Sequence, residues 1–165
     1  MNHTPWLDDA EQRTWRAYLA ATRLVYDRIE RQLSQESGMP QTYYELLVNL
    51  SEAPDRMLRM STLADSSQSS RSRLSHAVAR LEEAGWVVRT ACPTDRRGSF
   101  AQLTDAGMAA LAAAAPGHVA TVRAAVFDPL SKEQQEALRD IAETLTRANG
   151  GTPGVIPPAE CPEAG

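Results

Sequence analysis

Between Leu63 and Gly98 the chain changes its periodicity, and no other stretch restricts the fold as tightly. Leu74, Ala77, Val78 and Leu81 recur at helical spacing, which places them on one side of a helix running from about Ser70 to Ala84. The other side gathers Ser69, Ser72, Arg73, His76 and Arg80. Gly85 then offers the left-handed residue that commonly ends helices. Directly afterwards Trp86-Val-Val-Arg-Thr-Ala91 becomes a β-branched run. Ser99-Phe-Ala-Gln-Leu103 reads as its antiparallel mate, with Pro93 to Gly98 as the loop between them. A helix with an arginine-bearing polar face that leads straight into a hairpin leaves few architectures open.

The flanking segments are helical. Trp15, Tyr18, Leu19, Thr22, Val25, Tyr26, Ile29 and Leu33 form one apolar stripe on a helix from about Asp8 to Ser37, ended by Gly38 and Pro40. A second helix reads from Pro40 to Glu52, offering Tyr44, Leu47, Val48 and Leu50 to a core, with Pro54 at its exit. A short third helix is expected from an N-cap at Ser61 through Ser66. The serines that follow read as a turn, because apolar residues at helical spacing flank them on both sides. Thr104 caps an alanine-rich helix that Pro116-Gly117 should kink or split, and Ser131-Lys-Glu-Gln134 is a capping box opening a last helix to about Ala148. From Asn149 onward eight of 17 residues are Gly or Pro, the composition of a disordered tail over residues 149–165.

The fold class is therefore mainly α with a small β-hairpin wing (α+β). One domain spans residues 1–148: a winged helix-turn-helix core, about 40–103, bracketed by N- and C-terminal helices at about 8–37 and 105–148. Those outer helices cannot bury their stripes alone, so they are expected to be dimerisation helices of a homodimer.

Composition narrows the function. The chain has 165 residues, 42% of them apolar and 23% charged, with a net charge of −4. The charge is segregated. Arg56, Arg59, Arg71, Arg73, Arg80, Arg89, Arg96 and Arg97 face only Asp65, Glu82, Glu83 and Asp95 between positions 56 and 100, so this island carries +4 and the remainder −8. The one lysine is Lys132, which leaves the basic surface to guanidinium, the group suited to bidentate contact with phosphates and guanine edges. No apolar run approaches the ~20 residues of a membrane span, and the N-terminus lacks the pattern of a signal peptide. Cys92 and Cys161 are too few for a disulfide framework, so the expected setting is the cytoplasm. His3 and His118 lack ligand-spaced neighbours, no nucleophile, phosphate-loop or metal-hydrolase motif occurs, and neither enzyme activity nor a metal or cofactor is expected.

Residues from about Leu58 to Gly107 resemble the MarR transcriptional regulators. The resemblance rests on Leu63-Ala64, on Ser70-Arg71-Ser72 opening the second helix, and on Arg80-Leu-Glu-Glu-Ala-Gly-Trp-Val87 closing it. Asp95-Arg-Arg-Gly98 in the wing and Leu103-Thr-Asp-Ala-Gly107 after it complete the match. It implies a dimeric, ligand-responsive repressor or activator that binds double-stranded DNA at an inverted repeat. Ser70, Ser72, Arg73, Ser75 and His76 would face bases or phosphates. Arg97 would reach the minor groove, with Asp95 bracing the wing arginines Arg96 and Arg97. Arg71 and Arg80 belong to the same basic face, although Arg71 serves equally well as a brace to the wing or to an acid. The chain departs from many relatives by placing Ser67-Gln68-Ser69 in the helix-turn-helix turn. It also lacks the first-helix cysteine of peroxide sensors, having none before Cys92.

Other readings stay open on the residues alone. Trp15, Tyr18, Tyr26, Tyr43 and Tyr44 either line a pocket for a small, aromatic effector or are simply core. His76 is a DNA contact or a solvated side chain. Cys92 is a small half-buried residue or the sulfur of a redox-responsive regulator. The whole chain could also be a helical dimerisation or protein-interaction module with a degenerate wing.

Overall fold

A computed structural model describes residues 5–67, 70–91 and 98–153. The first helix, α1 (Asp9–Ser37), begins at an Asp8 N-cap whose Oδ1 accepts from the amides of Ala10 (2.7 Å) and Glu11 (2.8 Å), while the Glu11 carboxylate accepts from the Asp8 amide. Gly38 ends it at φ 61°, in the left-handed region. Helix α2 (Gln41–Glu52) follows, then a single 3₁₀ turn (Pro54–Arg56) and a three-residue strand, β1 (Met57–Arg59). Helices α3 (Met60–Ser66) and α4 (Arg71–Glu83) make the helix-turn-helix. Strands β2 (Val87–Ala91) and β3 (Ser99–Leu103) make the hairpin, and α5 (Asp105–Val122) and α6 (Lys132–Ala148) close the chain.

Three of these features differ from the sequence reading. The hairpin is part of a three-stranded antiparallel sheet in the order β1-β3-β2, with Leu58 opposite Ala101. Ser61 lies inside the first turn of α3, and the N-cap position is Arg59, with no side-chain cap. Pro116 does not break α5. Leu111 and Ala114 are buried just before it and the His118 ring lies 4.3 Å from that of Tyr44 just after it, so packing on both sides holds the axis through the missing amide bond. The helix widens later, in a π turn (Arg123–Phe127) closed by the Asp128 amide on the Arg123 carbonyl at 2.8 Å.

One core joins α1 through α5. Leu33, Leu46, Leu47, Leu50, Leu58, Leu63, Val78 and Leu81 are completely buried in it. Each such side chain contributes about 1.5–3 kcal/mol by leaving water. Gly107 sits where α5 crosses the turn after α4. A Cβ there would lie 2.7 Å from Leu103 Cδ1 and closer than contact distance to the Trp86 carbonyl. Thr104 fastens the same junction, accepting from the Gly107 amide at 3.0 Å and donating to the Gly85 carbonyl at 2.8 Å.

The outer helices are a different matter. Trp15, Tyr18, Leu19 and Leu24 on α1 are exposed, and α6 contains no buried residue, with Leu138, Ile141 and Leu145 all open. The helix Asp105–Phe127 is long and apolar enough, by length and composition alone, to cross a bilayer. Alanines scattered among Gly107, Pro116 and His118 give it that character without any continuous apolar run. Only 11% of the window is buried within the chain. The expected tail falls largely on residues 154–165, outside the described residues. Asn149 to Gly151 still hydrogen-bond back to the last turn of α6.

Candidate nucleic-acid interface

Helix α4 owes its place to its caps and to its buried side. Ser70 is the N-cap, its hydroxyl accepting from the Arg73 amide at 3.3 Å, so this serine is occupied in starting the helix. Leu74, Ala77, Val78 and Leu81 are buried as the periodicity predicts. The serines before it build the turn. Ser66 donates to the Leu63 carbonyl (3.2 Å) and accepts from Asn49 Nδ2 (3.2 Å), while Ser67 donates to the Leu63 carbonyl at 2.7 Å. Gln68 and Ser69 lie outside the described residues.

The exposed side of α4 presents Arg71, Ser72, Arg73, Ser75, His76 and Arg80. Among the described residues, the side chains of Arg71, Ser72, Arg73 and His76 make no hydrogen bond or ion pair. The alternative of Arg71 as a brace thus finds no partner among the described residues. Arg80 is paired within the helix, Nη1 to Glu83 Oε2 at 2.6 Å, and that hydrogen bond raises its pKa further. Ser75 is also engaged, since Arg89 from β2 reaches its hydroxyl oxygen (3.5 Å) and its carbonyl (3.4 Å).

That same Arg89 was not singled out by the sequence, and neither was its partner Glu82. Arg89 Nε lies 2.6 Å from Glu82 Oε2, and the Arg89 amide donates to Glu82 Oε1 at 3.0 Å. Nothing in a helical or strand period marks two residues seven apart across a turn, so pattern alone had no means of finding the pair. Around the sheet, Arg56 pairs with Asp105 at 3.1 Å and the Arg59 guanidinium stands 5.6 Å from the Phe100 ring centroid. The hairpin is described up to Ala91 and again from Gly98. Cys92, Asp95, Arg96 and Arg97 lie outside the described residues.

The five aromatics considered for an effector pocket occupy two helices, and Tyr26, like Trp15 and Tyr18, is exposed on α1. Trp15 and Tyr18 stack on each other at 5.9 Å on the exposed N-terminal half of α1. Tyr43 and Tyr44 are on α2, Tyr43 half-buried and Tyr44 buried, with burial raising the Tyr44 pKa. Ile29, the first buried residue of α1, is 14 residues beyond Trp15, about 21 Å along a helix. Neither of two open clefts on the described surface includes any of the five. One, of about 500 Å³, is lined by Asp55, Arg56, Val88, Gln102 and Asp105 among others. The other, of about 370 Å³, is lined by His118, Val119, Val122, Arg123 and Phe127.

With this geometry the matches to known proteins are consistent. The MarR family model matches residues 37–98, which span α2, the helix-turn-helix and the first strand of the hairpin, β2. The crystal structure of Sco3205, a MarR family transcriptional regulator from Streptomyces coelicolor solved in complex with DNA, superposes with a TM-score of 0.88. It is 48% identical, over 96% of this chain and 99% of that one. The chain belongs to the MarR family. AbsC, another MarR family transcriptional regulator from Streptomyces coelicolor, gives a TM-score of 0.84 at 41% identity, over 89% of this chain and 99% of its own. The HTH-type transcriptional regulator MhqR of Bacillus subtilis is 28% identical over 125 residues, 76% of this chain and 83% of that protein. The winged helix of this MarR-family transcriptional regulator is thus α3, α4 and the three-stranded sheet, and the extra strand β1 ties the start of α3 to the hairpin.

Proposed function

We propose that this MarR-family regulator is a cytoplasmic, homodimeric, sequence-specific DNA-binding repressor whose affinity for its operator is modulated by a small aromatic ligand. The observation that carries the reading is the solvent face of α4, where Ser72, Arg73 and His76 stand exposed with no side-chain partner among the described residues. A short helix held from behind by a packed lobe, with guanidinium and hydroxyl groups free on its front, suits the major groove. Arg71, Arg80, Ser70 and Ser75 border that face, and the wing residues Asp95, Arg96 and Arg97 would follow the flanking minor groove. The likeness to Sco3205, whose structure is a DNA complex, supports the same reading.

Dimerisation is supported by the apolar residues that the chain leaves open. Leu138, Ile141 and Leu145 share one face of α6, and no other described element packs closely on that helix. A second copy, two-fold related, would cover them together with the open part of α1 and pair two copies of α4 across an inverted repeat with half-sites about one helical turn apart. A ligand seated where α5 meets α2, near the cleft lined by His118, Val122 and Phe127, could favour one spacing of the two α4 helices. Only a differential affinity for the two spacings shifts that population.

Selection of bound genomic fragments followed by a gel shift tests the reading. Arg73→Ala should weaken binding to the selected fragment by about tenfold to a hundredfold while leaving the melting temperature unchanged. Wild type and variant binding every fragment equally poorly would sink it.

A further inference from the structure

Arg89 stands off the α4 groove face, yet it joins three parts of the reading lobe. Its main chain belongs to β2, which runs into the wing. Its Nε and its amide hold both oxygens of Glu82 at 2.6 and 3.0 Å, in the last turn of α4. Its terminal nitrogens reach Ser75, two helical turns earlier, at 3.4 and 3.5 Å. Ser75 and Glu82 are seven residues apart and so stack along one flank of α4. Glu82 is also an odd choice for that position, since a carboxylate near a helix C-terminus meets the negative end of the dipole. Two charge-assisted hydrogen bonds to one partner compensate for it. Both side chains of the pair are about two-thirds shielded, at 29% and 32% exposure, so the contact is neither a solvated surface pair nor a buried one.

We propose that Arg89 and Glu82 are positioning residues for DNA recognition: the Glu82–Arg89–Ser75 clamp sets the angle of the reading helix α4 against the wing. The proposal rests on the DNA-binding reading above. The clamp touches α4 at Ser75, beside His76 and one turn from Ser72, and it touches the strand that leads to Arg96 and Arg97. Releasing it lets the two contact surfaces move independently, so specific binding falls whereas binding to unrelated DNA, which needs only charge, does not.

Glu82→Gln separates this from plain electrostatics, because the two give opposite signs. Removing a negative charge from a DNA-binding face tightens binding if charge alone matters. A lost clamp weakens binding to the selected operator fragment, by about tenfold, with unrelated DNA bound as well as before or better. Arg89→Gln serves as the second variant. A positioning role predicts the same loss with an unchanged slope of log affinity against log salt, whereas a direct phosphate contact would reduce that slope by about one. The double variant should lose no more than either single one. Thermal melts of both variants check that the lobe is intact. Glu82→Gln binding the fragment as tightly as wild type, or a reduced slope for Arg89→Gln, would overturn the clamp and leave the regulator reading standing. Wild type that selects no fragment would overturn that reading, and the clamp with it.

Discussion

The winged-helix lobe and the outer helices are built from the same kinds of apolar residue, and they meet opposite fates. Leu47, Leu58, Leu63 and Leu81 are 0% exposed, whereas Leu24 is 69% and Ile141 58% exposed. The lobe satisfies itself: its apolar side chains are buried, its three strands are paired, and its basic face has been left over for something outside. The outer helices satisfy their backbones just as well, through the Asp8 and Ser131 capping boxes, but not their side chains. A helix can therefore be fully specified by sequence and still be incomplete as a packed object. What is missing from one chain is then a pointer to what binds it. In the proposed dimer the missing surface is a second copy.

Mutations on the two sides should behave differently, and the largest effects test the contrast itself. Leu81→Ala, in the lobe, should cost about 2–5 kcal/mol of unfolding free energy in denaturant melts. Ile141→Glu combined with Leu145→Glu, on α6, should leave the lobe folded yet weaken operator binding at least about a hundredfold, because each half-site then binds one copy at a time. A fall in the stability of the lobe comparable to that of Leu81→Ala would show that α6 is packed within its own chain. Gly107→Ala comes next. Its Cβ would press on the Trp86 carbonyl, which is backbone and cannot swing away, so the loss should be about 1–3 kcal/mol in the same melts.

Smaller effects sharpen the picture within the lobe. Ser70→Ala removes the N-cap of α4 and should cost about 1 kcal/mol in stability, with a matching fraying of the first turn in amide exchange. The smallest concerns His118, at the boundary between the two regions. Burial lowers its pKa below the ordinary value of 6.5, with Glu45 opposing the shift. Between the lowered and the ordinary value the unfolded chain binds more protons, so stability should fall as pH drops below 6.5 and level off once the folded state also titrates. Melts of wild type and His118→Gln across about pH 5–7.5 should show a flatter dependence for the variant.

Much of the fold was readable because it is written in local patterns. The stripe from Trp15 to Leu33, the Thr104 and Ser131 caps, and Gly85 after α4 each carry their own instruction. Strand β1 was not readable, since Met57-Leu58-Arg59 has no pattern of its own and becomes a strand only by pairing with β3. Pro116 misled because its penalty is local, while the packing that overcomes it comes from α1 and α2. In the candidate interface the buried and exposed sides of α4 followed from periodicity. The division of labour among its polar residues did not. Ser70 caps, Ser75 answers to Arg89, and Arg80 to Glu83, and each depends on a partner that spacing does not disclose.

Sedimentation of the chain, alone and with its selected operator fragment, bears most directly on the contrast between a finished lobe and unfinished outer helices. A particle of twice the 18.0 kDa chain mass, binding as one unit to the fragment and halved by Ile141→Glu with Leu145→Glu, is the predicted result. A particle of 18.0 kDa that binds the fragment one copy at a time, unaffected by those substitutions, would contradict it.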